Sequence, residues 1–403
     1  MTEAPAPLLP HFCPYPQVAD GYPSASGELI PRDAGGRGCA ASRPWGALGS
    51  AACLGLVLAP RRGAGREALG GREVGRSEPK SASAEAASTL GTALRRLGRV
   101  VFIKRRENPA TFITDLKINP IKRGNKILDK EYNLFYVNLL EHTLLQEIII
   151  KNSNQINLIS NELPQIAITE IINKILSNEL YKTNKIEGIE TVKSEIYSSL
   201  KQDGKFNKKS SKLDGIIKKY KDIMENNFED TQHIDNLSTF RKIYDEMFED
   251  FEKSGNYKLD GKYFRKDTVK VINGLGNTIH IGINGEEAIE KNMENLIQFM
   301  NRKDIPFLVK ASISHFFFEY IHPFYDGNGR FGRYLLSLYL ARKLDNITAF
   351  SLSYSISKNL DDYYKSFVEV EDVNNYGEIT FFVENILKTI KNGQEMIIEL
   401  LND

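Results

Sequence analysis

Cysteine and tryptophan are absent from the last 303 of the 403 residues, because all three cysteines (Cys13, Cys39, Cys53) and Trp45 lie in the first hundred. Disulfides and thiol chemistry are therefore excluded from residues 101–403, and we expect a reducing compartment, the cytoplasm. An excess of one charge is absent too, since the formal net charge is +1. Neither a nucleic acid nor a membrane surface is indicated as partner. No apolar run is long enough to span a bilayer.

Residues 1–100 contain no Asn, one Ile and one Lys, but half of the 30 glycines. Large apolar residues are too few here to offset the entropy of ordering, so the composition predicts a disordered extension. An organelle-targeting segment is the alternative, because Arg outnumbers acidic residues after Arg32. Near residue 100 the composition changes to Lys, Asn, Ile and Tyr. Ala, Gly, Arg and Pro, frequent in the first hundred residues, have GC-rich codons, whereas Lys, Asn and Ile have AT-rich codons. This difference raises the further hypothesis that the join near residue 100 is a fusion or a gene-model artefact.

Apolar residues three and four positions apart predict helices through most of residues 129–403. The predicted helical runs are 134–151, 164–200, 216–226, 235–252, 286–301, 305–320, 330–344, 361–371 and 377–401. A polar, glycine-punctuated loop is predicted at 201–215, and a β-hairpin at 261–285 around Gly274 and Gly276. The sequence therefore predicts a mainly α-helical bundle with one small hairpin. We divide it into an N-terminal helical region, 101–230, and a second domain, 231–395.

The stretch "HPFYDGNGRFGR", His322 to Arg333, combines residue types that suit reaction at a phosphate. His322 can accept a proton near neutral pH, and Asp326 offers a hard oxygen ligand for Mg²⁺. A glycine loop that leads into a helix presents free backbone N–H groups to an anion, and Arg330 and Arg333 add positive charge. The pattern predicts nucleophilic attack at a nucleotide phosphate. The alternative is a glycine connection between helices with incidental charges.

Two other phosphate motifs fit poorly. "GNGRFG" matches the dinucleotide-binding pattern formally, but a predicted helix rather than a strand precedes it. A P-loop is excluded, because no G-x-x-x-x-G-K-[ST] occurs.

The stretch resembles the full signature of the Fic (Fido) family, His-Pro-Phe-x-Asp/Glu-Gly-Asn-Gly-Arg-x-x-Arg, with every defined position filled. The resemblance covers most of residues 165–395 and none of residues 1–100. It implies transfer of AMP from Mg-ATP to a Ser, Thr or Tyr hydroxyl of a target protein. The implied roles are a base at His322, a Mg²⁺ ligand at Asp326, a phosphate cradle at Gly327, Asn328 and Gly329, and phosphate-tail contacts at Arg330 and Arg333. Gly329 stands where Doc-like kinases carry Lys, which favours nucleotidyl transfer over phosphate transfer.

A second motif, "TNKIEG" from Thr183 to Gly188, resembles the inhibitory helix of the same family. Thr183 and Glu187 are four positions apart, which predicts one helix face for both. The resemblance implies that Glu187 pairs with Arg333 and prevents ATP from binding in a productive pose. The motif precedes the loop, which is the class II arrangement. An ordinary surface carboxylate is the alternative for Glu187.

The predicted hairpin resembles the family's flap, an exposed edge that aligns a target segment by strand addition. Its expected core is Thr278, Ile279, His280, Ile281 and Gly282. For His280, contact with target backbone and packing within the hairpin both remain open. We interpret His315 as structural, and also the nearby aromatic residues Phe316, Phe317, Phe318, Tyr320 and Phe324.

Two rivals to the transferase remain at this point. In the first, the same fold removes AMP from a target, with Glu187 positioning the water. In the second, the protein is a catalytically silent, ATP-binding interaction or antitoxin-like module. The target, its residue type, the nucleotide, self-modification and homodimer formation are left open by the sequence.

Overall fold

The structure, a computed structural model, describes residues 111–403 apart from gaps at 123–125, 128–129, 202–212, 229–233, 254–258 and 273–277. Predictions for residues 1–100 and for Gly274 and Gly276 lie outside the described residues. So does most of the predicted loop at 201–215.

Helices dominate the described part of the chain, which confirms the predicted mainly α-helical class. In chain order they are α1 (Leu140–Glu162), α2 (Gln165–Ile186), α3 (Lys193–Lys201), α4 (Asp214–Met224), α5 (Leu237–Lys253), α6 (Glu286–Met300), α7 (Phe307–Ile321), α8 (Asn328–Lys343), α9 (Asn346–Ala349), α10 (Leu352–Lys358), α11 (Leu360–Glu371) and α12 (Thr380–Asn402). Of the helices described, none is both long and apolar enough to traverse a membrane.

Short antiparallel strand pairs accompany the helices. They are β1 (Thr111–Ile118) with β4 (Tyr132–Val137), β2 (Ile121–Lys122) with β3 (Lys126–Ile127), and β5 (Lys270–Ile272) with β6 (Thr278–Ile281). In the β5–β6 pair Val271 lies opposite His280, and the register shifts between Val271 and Ile272. This pair is the predicted hairpin, and the two pairs before α1 were not predicted.

Residues 134–137 form the end of β4, so the prediction that a helix runs through 134–151 was wrong at its start. All four side chains, Leu134 to Val137, are buried. A short, continuous apolar run fits a buried strand or a buried helix equally well. Pairing with β1, more than a dozen residues upstream, decides the outcome, and the helix begins only at Leu140.

The predicted helix over 164–200 is two helices, because α2 ends at Ile186 and α3 begins at Lys193. Gly188 adopts φ 71°, a left-handed conformation that terminates a helix and favours glycine. The break places Glu187 at the end of α2 rather than within a continuous helix.

α7 lies in the centre of the core and packs against α6, α8 and α12. The aromatic residues that we interpreted as structural, Phe316, Phe317, Phe318, Tyr320 and Phe324, are all buried. His315 is buried beside them, and its Nε2 lies 2.8 Å from the Tyr363 hydroxyl. This packing holds the C-terminal end of α7 in place, and the signature loop begins there.

Candidate active site

His322 follows the last residue of α7 in a left-handed conformation, with φ 52° and ψ 60°. This region is uncommon for a residue with a side chain, so surrounding contacts must hold it. The His322 amide donates to the carbonyl of Phe318 over 3.0 Å. Pro323 follows and cannot continue the helix.

The carbonyl groups at the end of α7 lack partners within the helix, as at any helix C-terminus, and other groups supply their hydrogen bonds. His322 Nδ1 donates to the Glu319 carbonyl (3.2 Å), and His280 Nε2 donates to the Tyr320 carbonyl (3.0 Å). The Ile283 amide donates to the Ile321 carbonyl (3.2 Å), and Arg265 Nε donates to the His322 carbonyl (2.9 Å). Three of the donors, Arg265, His280 and Ile283, belong to the chain before α6. The hairpin region therefore fixes the end of α7.

The His322 imidazole is arranged to accept a proton. Because Nδ1–H donates to the Glu319 carbonyl, Nε2 carries the free electron pair. Burial, together with the neighbouring His280 and Arg265, lowers the pKa of His322 to about 3. The ring is therefore neutral at pH 7 and can act as a general base.

The loop after His322 leads into α8, whose N-cap is Gly327 at φ 77°. A side chain at this position would meet the Phe248 ring, so glycine is required for the close approach as well as for φ. The Asn328 side chain bonds both backbone groups of Phe324, each over 2.9 Å, and holds the loop in shape. The first-turn amides of α8 have no acceptors within the helix, which suits an anion.

Asp326 and Arg330 lie on either side of this helix start. Arg330 is buried, its guanidinium lies 4.8 Å from the Phe248 ring centre, and its Nη2 lies 3.7 Å from the Asp326 carboxylate. The Asp326 side chain is 56% exposed. In the part of the chain that the structure describes, no three His, Cys, Asp or Glu side chains form a metal site. A single exposed carboxylate fits Mg²⁺, which takes few protein ligands and completes its shell with phosphates and water.

Arg333 joins α8 to the end of α2. Its Nε donates to Thr183 Oγ1 (3.0 Å), and its Nη2 donates to the Thr183 carbonyl (3.0 Å) and to Glu187 Oε1 (2.8 Å). Thr183 lies in the last turn of α2 and Glu187 is the C-cap. From these positions at the end of α2, both residues reach the same guanidinium.

The Glu187 carboxylate lies over the start of α8. A Cβ built on Gly329 would clash with Glu187 Oε1, so the carboxylate sits against the first turn of this helix. An anion at a helix N-terminus is stabilised by the free amides and by the helix dipole. The Glu187 carboxylate therefore occupies the anion position at the start of α8.

A cavity of about 140 Å³ lies between these elements. Its lining includes six of the predicted site residues: Glu187, Ile279, His280, His322, Gly329 and Arg333. Thr278, Ile281, Gly282 and Gly188 are not part of the lining. Gly282 instead packs against the Arg265 guanidinium, where a side chain would not fit.

Sequence reasoning missed three charged residues of the site, Arg265, Glu319 and Glu371. Glu319 carried a signal, because it is an acidic residue in the aromatic-rich helix α7. Burial raises the pKa of Glu319 to about 8, against the effect of Arg333. No sequence pattern marks Arg265 or Glu371. Arg265 bonds His322, 57 residues away in the chain, and Glu371 bonds His280, 91 residues away.

Residues 233–340 match the Fic/DOC family. A Fido domain-containing protein of Dictyostelium discoideum is 41% identical over 85 residues, which make up 20% of this chain and 55% of that protein. The chain thus matches about half the length of this curated relative. A Fic family protein from Desulfovibrio desulfuricans superimposes with a TM-score of 0.51 at 18% identity, over 66% of this chain and 76% of that one, which is a likeness of fold. Fic-1 from C. elegans superimposes with a TM-score of 0.42 at 16% identity, over 65% of this chain and 74% of that one.

Proposed function

We propose that this chain, which carries a Fic/DOC family domain at residues 233–340, transfers AMP from Mg-ATP to a hydroxyl group of a target protein. One observation carries the proposal: a neutral histidine, a helix N-terminus and a buried arginine line a single cavity, and a carboxylate of the same chain occupies the anion position. Residues 101–403 lack cysteine, so we place the reaction in the cytoplasm.

In the proposed reaction, His322 Nε2 takes the proton of a target Ser, Thr or Tyr hydroxyl. The hydroxyl oxygen then forms a bond to the α-phosphorus, and the bond from that phosphorus to the bridging oxygen breaks to release pyrophosphate. The first-turn amides of α8, with Arg330 and Arg333, stabilise the charge on the phosphates. Asp326 would hold Mg²⁺, which supplies charge neutralisation at the phosphates when bound.

Glu187 inhibits this reaction in two ways under the proposal. Its carboxylate occupies the anion position at the start of α8, and it also neutralises Arg333, the cation expected to bind the γ-phosphate. A nucleotide whose γ-phosphate cannot reach Arg333 would not present its α-phosphorus to His322. Removal of Glu187 should therefore raise turnover.

The hairpin is the proposed docking edge for the target. Among the described residues, β6 pairs with β5 alone, so its other edge is available for strand addition. β6 lies next to the base, since the rings of His280 and His322 are 5.9 Å apart.

AMP removal is the second candidate, because Glu187 and His322 line the same cavity and could hold a water between them. Release of AMP from a modified target, lost in Glu187→Gly, would support it over the transferase.

The test uses the full chain with α-labelled ATP, Mg²⁺ and a cell lysate. Wild type, Glu187→Gly, Glu187→Gly/His322→Ala and Glu190→Gly are compared; Glu190 is an exposed glutamate in the same connection between helices. We expect protein labelling in Glu187→Gly, weak labelling in wild type and Glu190→Gly, and none in the double variant. Equal labelling by the single and double variants would remove His322 as the base. Nucleotide binding without labelling in every variant would favour the silent ATP-binding module.

A further inference from the structure

A second and larger pocket lies away from the catalytic cavity. Its volume is about 590 Å³, and the end of α6, the start of α7 and the second half of α8 surround it. Lys310 in the first turn of α7 lines this pocket, whereas His322 follows the last residue of the same helix. The helix between them is about 18 Å long. The pocket is therefore separate from the catalytic cavity, and we call it the distal pocket.

Cations outnumber carboxylates around the distal pocket. One carboxylate, Asp235, lines it together with five cations, Arg302, Lys303, Lys310, Arg342 and Lys343. Arg302 has a partner, because its Nε and Nη2 donate to the Asp304 carboxylate. The three lysines form no ion pair with any carboxylate of the described residues. The pocket thus carries an excess of positive charge.

Lys310 shows this excess most directly. It is partly buried, and its Nζ donates to the Arg302 carbonyl. Burial lowers the pKa of Lys310, and repulsion by Lys343 lowers it further and outweighs the attraction of Asp304. A carbonyl satisfies a donor but does not neutralise its charge. An anion in the pocket would therefore stabilise Lys310.

The dipoles of the helices account for some of these cations but not for all. Cations are favoured at a helix C-terminus, so Arg342 and Lys343 in the last turn of α8 need no ligand to explain them. Lys303 and Lys310 lie just before α7 and in its first turn, where the dipole favours an anion instead. The first-turn amides of α7 also lack acceptors within the helix. The lysines and the helix start thus favour the same kind of ligand, an anion.

The remaining wall of the distal pocket is apolar and indicates what the anion is attached to. Its side chains are Met300, Ile305, Phe307, Leu335, Leu338 and Tyr339. A pocket of this volume is typical of small-molecule sites, and an inorganic ion would leave most of it and its apolar wall unused. A phosphate monoester carries nearly two negative charges at neutral pH and suits several lysines better than one carboxylate does. The cations surround one pocket, which favours a small ligand over an acidic peptide.

We propose that the distal pocket binds a small organic phosphate: Lys303, Lys310 and Lys343 hold the phosphate at the start of α7, and the apolar wall holds the organic body. The proposal is independent of AMP transfer, because no residue lines both the distal pocket and the catalytic cavity.

The experiment is isothermal titration calorimetry of the full chain with hexyl phosphate, whose alkyl chain supplies an apolar body, and with inorganic phosphate. We expect hexyl phosphate to bind more tightly, by about tenfold, because the wall covers its chain. Lys310→Gln/Lys343→Gln should weaken hexyl phosphate binding by about tenfold or more. The control, Lys151→Gln/Lys291→Gln, removes two exposed lysines of α1 and α6 with the same change in net charge, and it should bind as wild type does.

Several outcomes would overturn the proposal. One is the absence of hexyl phosphate binding to wild type, and another is equal affinity in the two double variants. Since Lys310 is partly buried, the exposed Lys343→Gln is measured alone as well, and we expect a severalfold loss of affinity. Equal binding of inorganic and hexyl phosphate would reduce the pocket to a simple anion site.

Two further probes test macromolecular partners, an oligoglutamate peptide and vesicles that contain phosphatidylserine. Lysine-dependent binding of either one, without binding of hexyl phosphate, would replace the small ligand by that partner. None of these titrations requires turnover. Failure of the distal pocket and failure of the proposed AMP transfer are therefore observed separately.

Discussion

Arg333 is the residue through which the two functional motifs meet. Burial disfavours the charged form of Arg333, but Glu187 outweighs this effect and raises the pKa of Arg333 above its ordinary value. The guanidinium also donates to the side chain and the backbone of Thr183. A buried arginine with a lost acceptor retains an unsatisfied donor, which costs more than the lost bond itself. The position of Arg333 thus depends on Thr183 as well as on Glu187.

Thr183→Val tests this dependence. Valine keeps the shape of threonine but leaves Arg333 Nε without its acceptor, so we expect a loss of roughly 1–3 kcal/mol in the free energy of unfolding. Thr183→Ser keeps the hydroxyl and serves as the control, with a smaller loss. Urea unfolding of both variants measures the difference. Equal losses would mean that the hydroxyl contributes nothing beyond packing.

At the scale of elements, local patterns predicted the helices that carry the site. The run predicted at 305–320 is α7, Phe307–Ile321. The glycine-rich loop follows it, because Pro323 cannot continue the helix and the two glycines, Gly327 and Gly329, disfavour regular structure. Features that depend on distant partners were not predictable from such patterns. β4 is a strand because β1 pairs with it, and Arg265 and Glu371 enter the site through contacts that a periodicity of two or four residues cannot encode.

A glycine in a left-handed conformation follows Glu187 at the end of α2. Gly188 has φ 71°, and a Cβ there would meet no atom within 4 Å. Gly188→Ala therefore adds backbone strain of roughly 1 kcal/mol without a clash. If release of Glu187 from Arg333 lets residue 188 leave the left-handed region, the strain favours the released state, and we expect basal AMP transfer to rise by up to roughly fivefold. Initial rates of target labelling measure the effect.

Gly285→Ala is the matched control for this prediction. Gly285 also has a positive φ, 85°, and a Cβ there would meet no atom within 4 Å, but it is the N-cap of α6 rather than part of the α2 end. Its alanine variant should lose similar stability without a gain in labelling. Equal activation by both variants would show that general loosening, rather than release of the α2 end, raises the rate.

For the whole molecule, four groups with shifted pKa values contribute to how stability changes with pH. Burial raises the pKa of Glu179 to about 7 and that of Glu319 to about 8, and it lowers the pKa of His315 and of His322 to about 3. The histidines bind more protons in the unfolded chain, so their effect favours folding as pH rises from 3 to 6.5. The glutamates bind more protons in the folded chain, so stability falls as pH rises from 4.5 through 7 and 8.

Glu319→Gln isolates one of these groups. The glutamate keeps its proton in the folded state up to about pH 8 but loses it near 4.5 in the unfolded chain, so folding becomes progressively less favourable across this interval. Glutamine has no proton to lose. We expect wild type and Glu319→Gln to be equally stable near pH 4.5, and Glu319→Gln to be more stable at pH 9 by roughly 2–4 kcal/mol.

Thermal unfolding between pH 4.5 and 9 measures this difference in stability, with the exposed Glu294→Gln as control. Parallel curves for wild type and Glu319→Gln would mean that Glu319 is ionised in the folded protein, in which case Arg333 has a second buried counterion and its charge remains matched when Glu187 moves away.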